Sequence, residues 1–290
     1  MNAITKDTSS TFYRDMVRLA LPIVLQNLIT TAVSSADVVM LGFVNQTALA
    51  AGSLASQIMF ILNLVYSGIS SGIIMLAAQY WGKKDTRTIE NIMGIGMRLS
   101  ILISLVFFIL AFFCPSLLMH IFTNDQTLLG PGKTYLRVVS FSYLFMSISQ
   151  VYLCTMRAIE RVIFATVVNG TALLLNIILN AVFIFGLFGA PQMGIAGVAL
   201  ATTIARFIEL GLCMIDSLRF KTLRFRPAAI FQHQKVLFGD FMRYSLPAFG
   251  NEVSWGVAFS MYSVIMGHLG SAMVEANAGV LVARNMRRLL

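Results

Sequence analysis

The chain has 290 residues, of which 58% are hydrophobic and only 11% are charged, with a formal net charge of +9. Uncharged stretches of about 20 residues or more recur along it, and a soluble core cannot bury that much apolar surface. These stretches are continuously apolar, which excludes the alternating pattern of a membrane β-barrel. We therefore predict an all-α, polytopic membrane helical bundle that is not an enzyme.

The hydrophobic runs predict spanning helices, each near or above the ~20 residues that a bilayer needs. Turn-forming segments separate them, and we expect GPGK at 130–133 to be a turn before a helix. In chain order the predicted spans are 16–42, 48–80, 94–117, 135–156, 162–188, 194–217 and 239–266, with an eighth beginning near residue 271.

Lys and Arg are distributed unevenly between the two ends of these spans. The N-terminal end and the loops after the second, fourth and sixth spans hold three, four, two and six of them, whereas the alternate loops hold only Lys133 and Arg137. This bias predicts a multi-pass protein of the plasma membrane, the inner membrane of a bacterium, with a cytoplasmic N-terminus. Topology and contact with anionic membrane lipids account for the net charge, so we expect no nucleic-acid partner.

The chain also repeats itself at an offset of 225 residues. LALPIVLQN (19–27) aligns with YSLPAFGNE (244–252), which places a Leu-Pro pair at the same depth of two helices. Repeated halves are typical of secondary transporters, whose site lies at the interface between them. We therefore expect a first six-helix lobe at 1–218, a basic cytoplasmic linker at 219–238 and the start of an incomplete second lobe at 239–290. This pattern predicts a truncated two-lobe protein.

One carboxylate, Asp37, lies in an otherwise uncharged run from Leu19 to Lys83. At membrane depth it must face a partner, a water-filled cavity or a cation. Asn176 and Asn180 lie four apart on one helical face, and Thr202 adds a hydroxyl in the next helix.

One carboxylate, two amide oxygens and a hydroxyl suit a hard cation such as sodium. Without the cation, desolvation of Asp37 favours its protonation and hence proton coupling. Two alternatives remain open. Asp37 can reach outward to solvent near the end of its helix, and the asparagines can form hydrogen bonds that only hold the membrane helices together.

Other polar or helix-breaking residues have simpler interpretations. Arg206 and Glu209 lie three apart, and a structural ion pair is favoured over a gate. Pro22 removes a backbone donor about four turns before Asp37, which makes it a hinge candidate or the site of a static kink. The three cysteines and three histidines share no ligand spacing, so we expect no metal site beyond sodium at Asp37.

Several segments together resemble the multidrug and toxic compound extrusion (MATE) transporters. These are ALPIVLQNLITTAVSSADVVMLGFVNQTALAAGSLASQI, AAQYWGKKD, NIILNAVFIFG, GIAGVALATTIAR and SLPAFGNEVSWG, which are spread over most of the chain. The resemblance implies a twelve-helix antiporter of two lobes that exports cationic or amphipathic small molecules by using a sodium or proton gradient, with no cofactor. The missing remainder of the second lobe is then a partner that this chain lacks.

The resemblance also implies roles for individual residues. Asp37 matches the acidic position used for cation coupling, Asn176 and Asn180 match paired polar positions, and Thr202 matches a ligating position. In some relatives an aspartate stands at the position of Asn180, so the choice between sodium and proton stays open. Glu252 matches a cation or substrate position of the second lobe. Bending of the first helix makes Pro22 a hinge candidate.

Two alternative functions remain open. A flippase for lipid-linked precursors shares this architecture, but its cavity should be lined by many Arg or Lys residues, and only Arg206 lies well inside a predicted span. A nontransporting remnant, or a half-transporter subunit that needs another lobe, is the second alternative.

Overall fold

The computed structural model describes residues 40–219 and 235–269, together with the single residues Val24 and Leu223. Asp37 and Pro22, most of the first predicted span and the predicted eighth span lie outside these described residues. Within them, every regular element is a helix, which confirms the all-α prediction for this part of the chain.

Seven α-helices follow one another along the described chain. Residues 40–44, at the end of the first predicted span, are also helical, and Leu187–Gly189 forms a short 3-10 turn. We name the helices α1 (Gln46–Gly82), α2 (Thr86–Phe113), α3 (Pro115–Phe122), α4 (Gln126–Ala158), α5 (Val162–Phe185), α6 (Gly194–Arg219) and α7 (Lys235–His268).

Five of the helices, α1, α2, α4, α5 and α6, are long and apolar enough to cross a membrane. The prediction of a polytopic membrane bundle is thus confirmed. The seventh predicted span is also helical, although α7 is not among these five by length and composition. It begins at Lys235, inside the segment predicted as a linker.

Side-chain caps set helix starts that hydropathy alone misplaces. Asp85 accepts hydrogen bonds from the Thr88 hydroxyl at 2.6 Å and from the Thr88 N–H at 3.1 Å, and these bonds lower the pKa of its carboxyl below the usual range. This cap starts α2 at Thr86, eight residues before the predicted start, and Pro115 begins a separate short helix. The short turn between α1 and α2 carries Lys83 and Lys84, so we call this end of the bundle the basic end.

The prediction of a turn at 130–133 is wrong, because these residues lie inside α4. Asp125 caps this helix by accepting a hydrogen bond from the Thr127 N–H at 2.9 Å. The helix therefore begins at Gln126, and Pro131 lies inside it. Gly132 is buried against Met119 of α3, and a Cβ at this position would collide with that side chain. Capping and packing therefore outweigh the turn propensity of Gly-Pro-Gly.

The centre of the bundle is α4, which packs against α1, α2, α3, α5 and α6. The most apolar stretch of α4 is 67% buried inside the protein, whereas the corresponding stretches of α2, α5 and α6 are 33% buried. Apolar side chains of α2, including Leu102, Val106 and Ile109, point away from the protein, as expected for a face in contact with lipid.

Small residues let α7 lie against α1 in antiparallel orientation. A Cβ on Gly68 would lie 2.8 Å from the Cβ of Phe249, and one on Gly256 would collide with Leu64. Near the basic end, Gly72 faces Ser245 in the same way. Close approach of helix backbones through small residues is typical of membrane proteins.

This packing predicts that Gly68→Ala destabilises the protein, since overpacking typically costs about 1–3 kcal/mol. The matched control is Gly211→Ala in α6, where nothing lies within 4 Å of an added Cβ. We expect this control to be neutral or stabilising by up to about 1 kcal/mol, because alanine favours the helix. The measurement is the unfolding midpoint in detergent, and equal shifts in the two variants would contradict the packing described here.

Candidate functional site

The polar residues predicted on α5 lie on its buried face. Asn176 is 6% exposed and Asn180 is fully buried, one helical turn further along. The helix ends at Gly186, whose φ of 69° suits glycine, and the chain then turns back into α6 at Gly194. This short connection makes α5 and α6 antiparallel neighbours.

A chain of hydrogen bonds joins these two helices. The Asn180 Nδ2 donates to Asn176 Oδ1 at 3.4 Å, and the Asn176 Nδ2 donates to Thr202 Oγ1 at 3.1 Å. The Thr202 hydroxyl in turn donates to the carbonyl of Val198 at 3.1 Å. The structure therefore brings together three of the four residues predicted for a cation site, and we call Asn176, Asn180 and Thr202 the α5–α6 cluster.

The oxygens of the α5–α6 cluster fit a hard monovalent cation in chemical type. They are all neutral, so an anionic ligand must come from elsewhere to balance a bound charge. No group of three or more His, Cys, Asp or Glu side chains that could hold a metal ion occurs among the described residues. Amide and hydroxyl oxygens are the ligand type of hard cations such as sodium, whereas transition metals prefer imidazole or thiolate ligands.

Residues that follow Asp37 in the chain contact the helix ends nearest this cluster. The ring of Phe43 lies 6.0 Å from that of Phe185 at the end of α5, measured between centroids. Val44 lies within van der Waals distance of a Cβ built on Gly194, the first residue of α6. The residues directly after the first predicted span thus pack beside both helices that carry the cluster.

Glu252 lies in a different part of the bundle. It is a partly buried residue of α7, between Phe249 and Gly256, which both pack against α1. That helix contacts α1, α2 and α3, whereas the α5–α6 cluster lies on the other side of α4. Among the predicted site residues that the structure describes, Glu252 is therefore not brought to Asn176, Asn180 or Thr202.

The predicted pair of Arg206 and Glu209 forms within α6, with 2.6 Å between Arg206 Nη1 and Glu209 Oε2. The Glu209 side chain is fully buried, and its Oε1 accepts a hydrogen bond from the Ser149 hydroxyl of α4 at 2.7 Å. The sequence did not reveal Ser149 as the second partner, because serines are common in this part of α4 and carry no distinctive spacing.

A second ionic cluster, at the basic end, was missed by the sequence reasoning. The guanidinium of Arg161 binds both carboxylate oxygens of Asp216, at 2.8 and 3.0 Å. The Tyr152 hydroxyl donates to the same carboxylate at 2.7 Å, and the guanidinium stacks on Phe164 at 4.8 Å from its centroid. Together these contacts tie the ends of α4 and α6 to the start of α5.

The described residues also line an open cleft of about 380 Å³ at the basic end, away from the α5–α6 cluster. It lies between the end of α1, the start of α2 and the start of α7. One positively charged and one negatively charged side chain line it, Lys235 and Asp240. Its lining residues are Tyr80, Thr88, Lys235, Val236, Leu237 and Asp240.

Comparison with known proteins gives a consistent result. The family model described as MatE matches residues 22–182, which is more than half of the chain. The uncharacterized transporter YisQ of Bacillus subtilis is 25% identical over 276 residues, which cover 93% of this chain and 59% of YisQ. A probable multidrug resistance protein NorM of Rhizobium meliloti is 26% identical, with 92% and 57% covered.

Solved structures show the same fold. An outward-facing multidrug resistance MATE family transporter of the MOP superfamily matches with a TM-score of 0.76 at 18% identity, covering 93% of this chain and 62% of that one. An inward-facing one matches with a TM-score of 0.74 at 20% identity, covering 91% and 59%. The chain spans less than two thirds of the length of each of these relatives.

The ionic cluster at the basic end generates a prediction about stability. Because Arg161 and Asp216 are 28% and 15% exposed, their bidentate pair should be worth about 1–2 kcal/mol, less than a fully buried pair. We expect Arg161→Gln and Asp216→Asn to be non-additive, with a coupling of about 1 kcal/mol or more in a double-mutant cycle of unfolding. Arg157→Gln is the control, since Arg157 forms no ion pair with another described residue. Additive effects of Arg161→Gln and Asp216→Asn would contradict the coupling.

Proposed function

The chain belongs to the MatE family, and we propose that it supplies the cation-binding lobe of a secondary transporter that exports cationic or amphipathic compounds. The observation that carries this proposal is the α5–α6 cluster. Three neutral oxygen-bearing side chains, of which Asn176 and Asn180 are buried and Thr202 is partly buried, are hydrogen-bonded across two membrane helices and provide ligands for a cation. The names of the relatives, which are those of transporters and multidrug resistance proteins, support export as the process.

Asp37 would supply the negative charge that the cluster lacks. The contacts of Phe43 and Val44 with the ends of α5 and α6 support this assignment, because Asp37 precedes them by about two helical turns. Asn180 precedes Phe185 by about one and a half turns, so the two side chains would lie at a similar depth. Asp37 would bind sodium together with Asn176, Asn180 and Thr202, or would take up a proton.

Coupling requires that the cation and the exported compound bind in alternation. Cation binding at Asp37 and release of the compound would alternate as two lobes rock between inward and outward openings, with Pro22 as the hinge of the first helix. Such a protein would lie in the plasma membrane with its N-terminus in the cytoplasm, as the distribution of Lys and Arg indicates. The remainder of the second lobe, including the partners of Glu252, would complete the transporter.

The flippase alternative is less well supported. A pyrophosphate-binding cavity needs free positive charge, but the guanidinium of Arg206 is neutralised by Glu209 at 2.6 Å. The half-transporter alternative predicts that the 290-residue chain is inactive until a second lobe is supplied.

The role of Asp37 is tested by efflux measurements. The 290-residue chain and a version completed to two lobes are expressed in a drug-sensitive host, and dye efflux is followed with and without sodium and at two pH values. We expect Asp37→Asn to reduce cation-dependent efflux by roughly tenfold or more, since a hydrogen bond to a charged group is worth about 1.5–3 kcal/mol.

The control for this experiment is Asp85→Asn, which removes a carboxylate in a turn and keeps a side chain that caps helices well. Unchanged efflux in the Asp37→Asn variant of the completed protein would exclude the coupling role. Efflux by the completed protein, with no efflux by the 290-residue chain, would support the half-transporter interpretation.

Thr202→Val tests the α5–α6 cluster itself, because it removes the hydroxyl that accepts from Asn176 and keeps the side-chain shape. We expect the cation concentration at half-maximal efflux to rise by about 2- to 10-fold, the equivalent of one lost hydrogen bond. Thr203→Val is the matched control, since that hydroxyl bonds the carbonyls of Val138 and Ala199 outside the cluster. Equal changes in both variants would show that the hydroxyl of Thr202 has only a structural role.

A further inference from the structure

One face of α6 carries a stripe of polar side chains along most of its length. Thr202, Arg206, Glu209 and Asp216 follow one another at intervals of four, three and seven residues, which keeps them on one side of a helix. The stripe extends over about 21 Å along the helix axis. Each of its members has a hydrogen-bonding partner.

Arg206 brings a permanent positive charge close to the α5–α6 cluster. It lies one helical turn beyond Thr202, and side chains four apart on a helix are neighbours. A guanidinium does not lose its proton in a protein, so this charge is present at every physiological pH. A guanidinium can donate hydrogen bonds to the same kinds of oxygen that a sodium ion binds, namely amide and hydroxyl oxygens.

The Arg206 side chain points away from the α5–α6 cluster. Its guanidinium bonds Glu209, which lies three residues further along α6, whereas Thr202 lies four residues in the opposite direction. Glu209 is itself held in place, because its second oxygen accepts from Ser149 of α4.

We propose that Glu209 is a positioning residue that keeps the guanidinium of Arg206 out of the candidate cation site, where it would compete with the coupling cation. This inference rests on the proposed function, because it concerns the affinity of that site. Ser149 fixes the carboxylate and thereby the guanidinium. If Glu209 loses its charge, Arg206 is free to turn toward Asn176 and Thr202 and to occupy the place of the cation.

Other ionisable groups near the pair do not replace Glu209 in this role. Of the described helices that pack against α6, α5 carries no ionisable side chain, and α1 contributes Tyr66, which interacts electrostatically with Arg206. On α4, Tyr143 lies in the core and Tyr152 bonds Asp216. Asp216, two turns beyond Glu209, is bound by Arg161.

The test is a titration of the purified 290-residue chain in lipid nanodiscs with radioactive sodium, with choline chloride holding the ionic strength constant. We expect Glu209→Gln to raise the half-saturating sodium concentration by roughly tenfold while binding at saturation is retained, as for a competitor. The double variant Arg206→Gln/Glu209→Gln removes the competitor and should return to within about threefold of the wild type. Glu160→Gln, which changes an exposed carboxylate in the α4–α5 turn, is the control.

A purely structural pair would behave differently. Glu209→Gln would then lower the unfolding midpoint without sodium and leave the half-saturating concentration of the folded fraction unchanged. The inference is overturned if Glu209→Gln leaves the half-saturating sodium concentration unchanged, or if the double variant binds sodium as weakly as Glu209→Gln does.

Asp37→Asn separates this inference from the proposed function. If Asp37→Asn abolishes binding and Glu209→Gln has no effect, only the inference fails. A wild-type chain that binds no sodium overturns both this inference and the assignment of a sodium site to Asp37 and the α5–α6 cluster.

Discussion

A polar side chain in a membrane-spanning helix needs a partner on another part of the protein, because the surrounding hydrocarbon provides none. This constraint organises the described part of the bundle. The amide of Asn176 on α5 bonds Thr202 of α6, the carboxylate of Glu209 is bonded from α4, and Asp216 is bound by Arg161 and Tyr152. Each contact joins two helices that apolar packing alone would hold less specifically.

The position of α4 at the centre makes this network possible. It contacts five of the other helices, and its faces therefore meet both the apolar core and the polar stripe of α6. On its other side, α1 and α7 approach each other through Gly68 and Gly256. The described ionic contacts thus lie in the part of the bundle formed by α4, α5 and α6, while α7 packs mainly through small and apolar residues.

The degree to which the sequence predicts these features depends on how local they are. Arg206 and Glu209 are three residues apart, so their pairing follows from helix geometry alone. The Asn176–Thr202 contact could also be predicted, since the short connection between α5 and α6 places two antiparallel helices side by side. The contact of Arg161 with Asp216 could not, because it joins residues 55 apart and no periodicity indicates it. The turn predicted at 130–133 was wrong for a related reason: the cap at Asp125 and the packing of Gly132 lie outside the four residues that suggested a turn.

The proposed binding of one cation by Asp37 and the α5–α6 cluster together is tested most directly by infrared difference spectroscopy. Spectra of the chain in lipid are recorded while the buffer alternates between sodium and choline, and between acidic and neutral pH. We expect a carboxyl band that disappears in Asp37→Asn, accompanied in the same difference spectrum by an amide side-chain band that disappears in Asn176→Asp. A spectrum that neither substitution changes would contradict the claim.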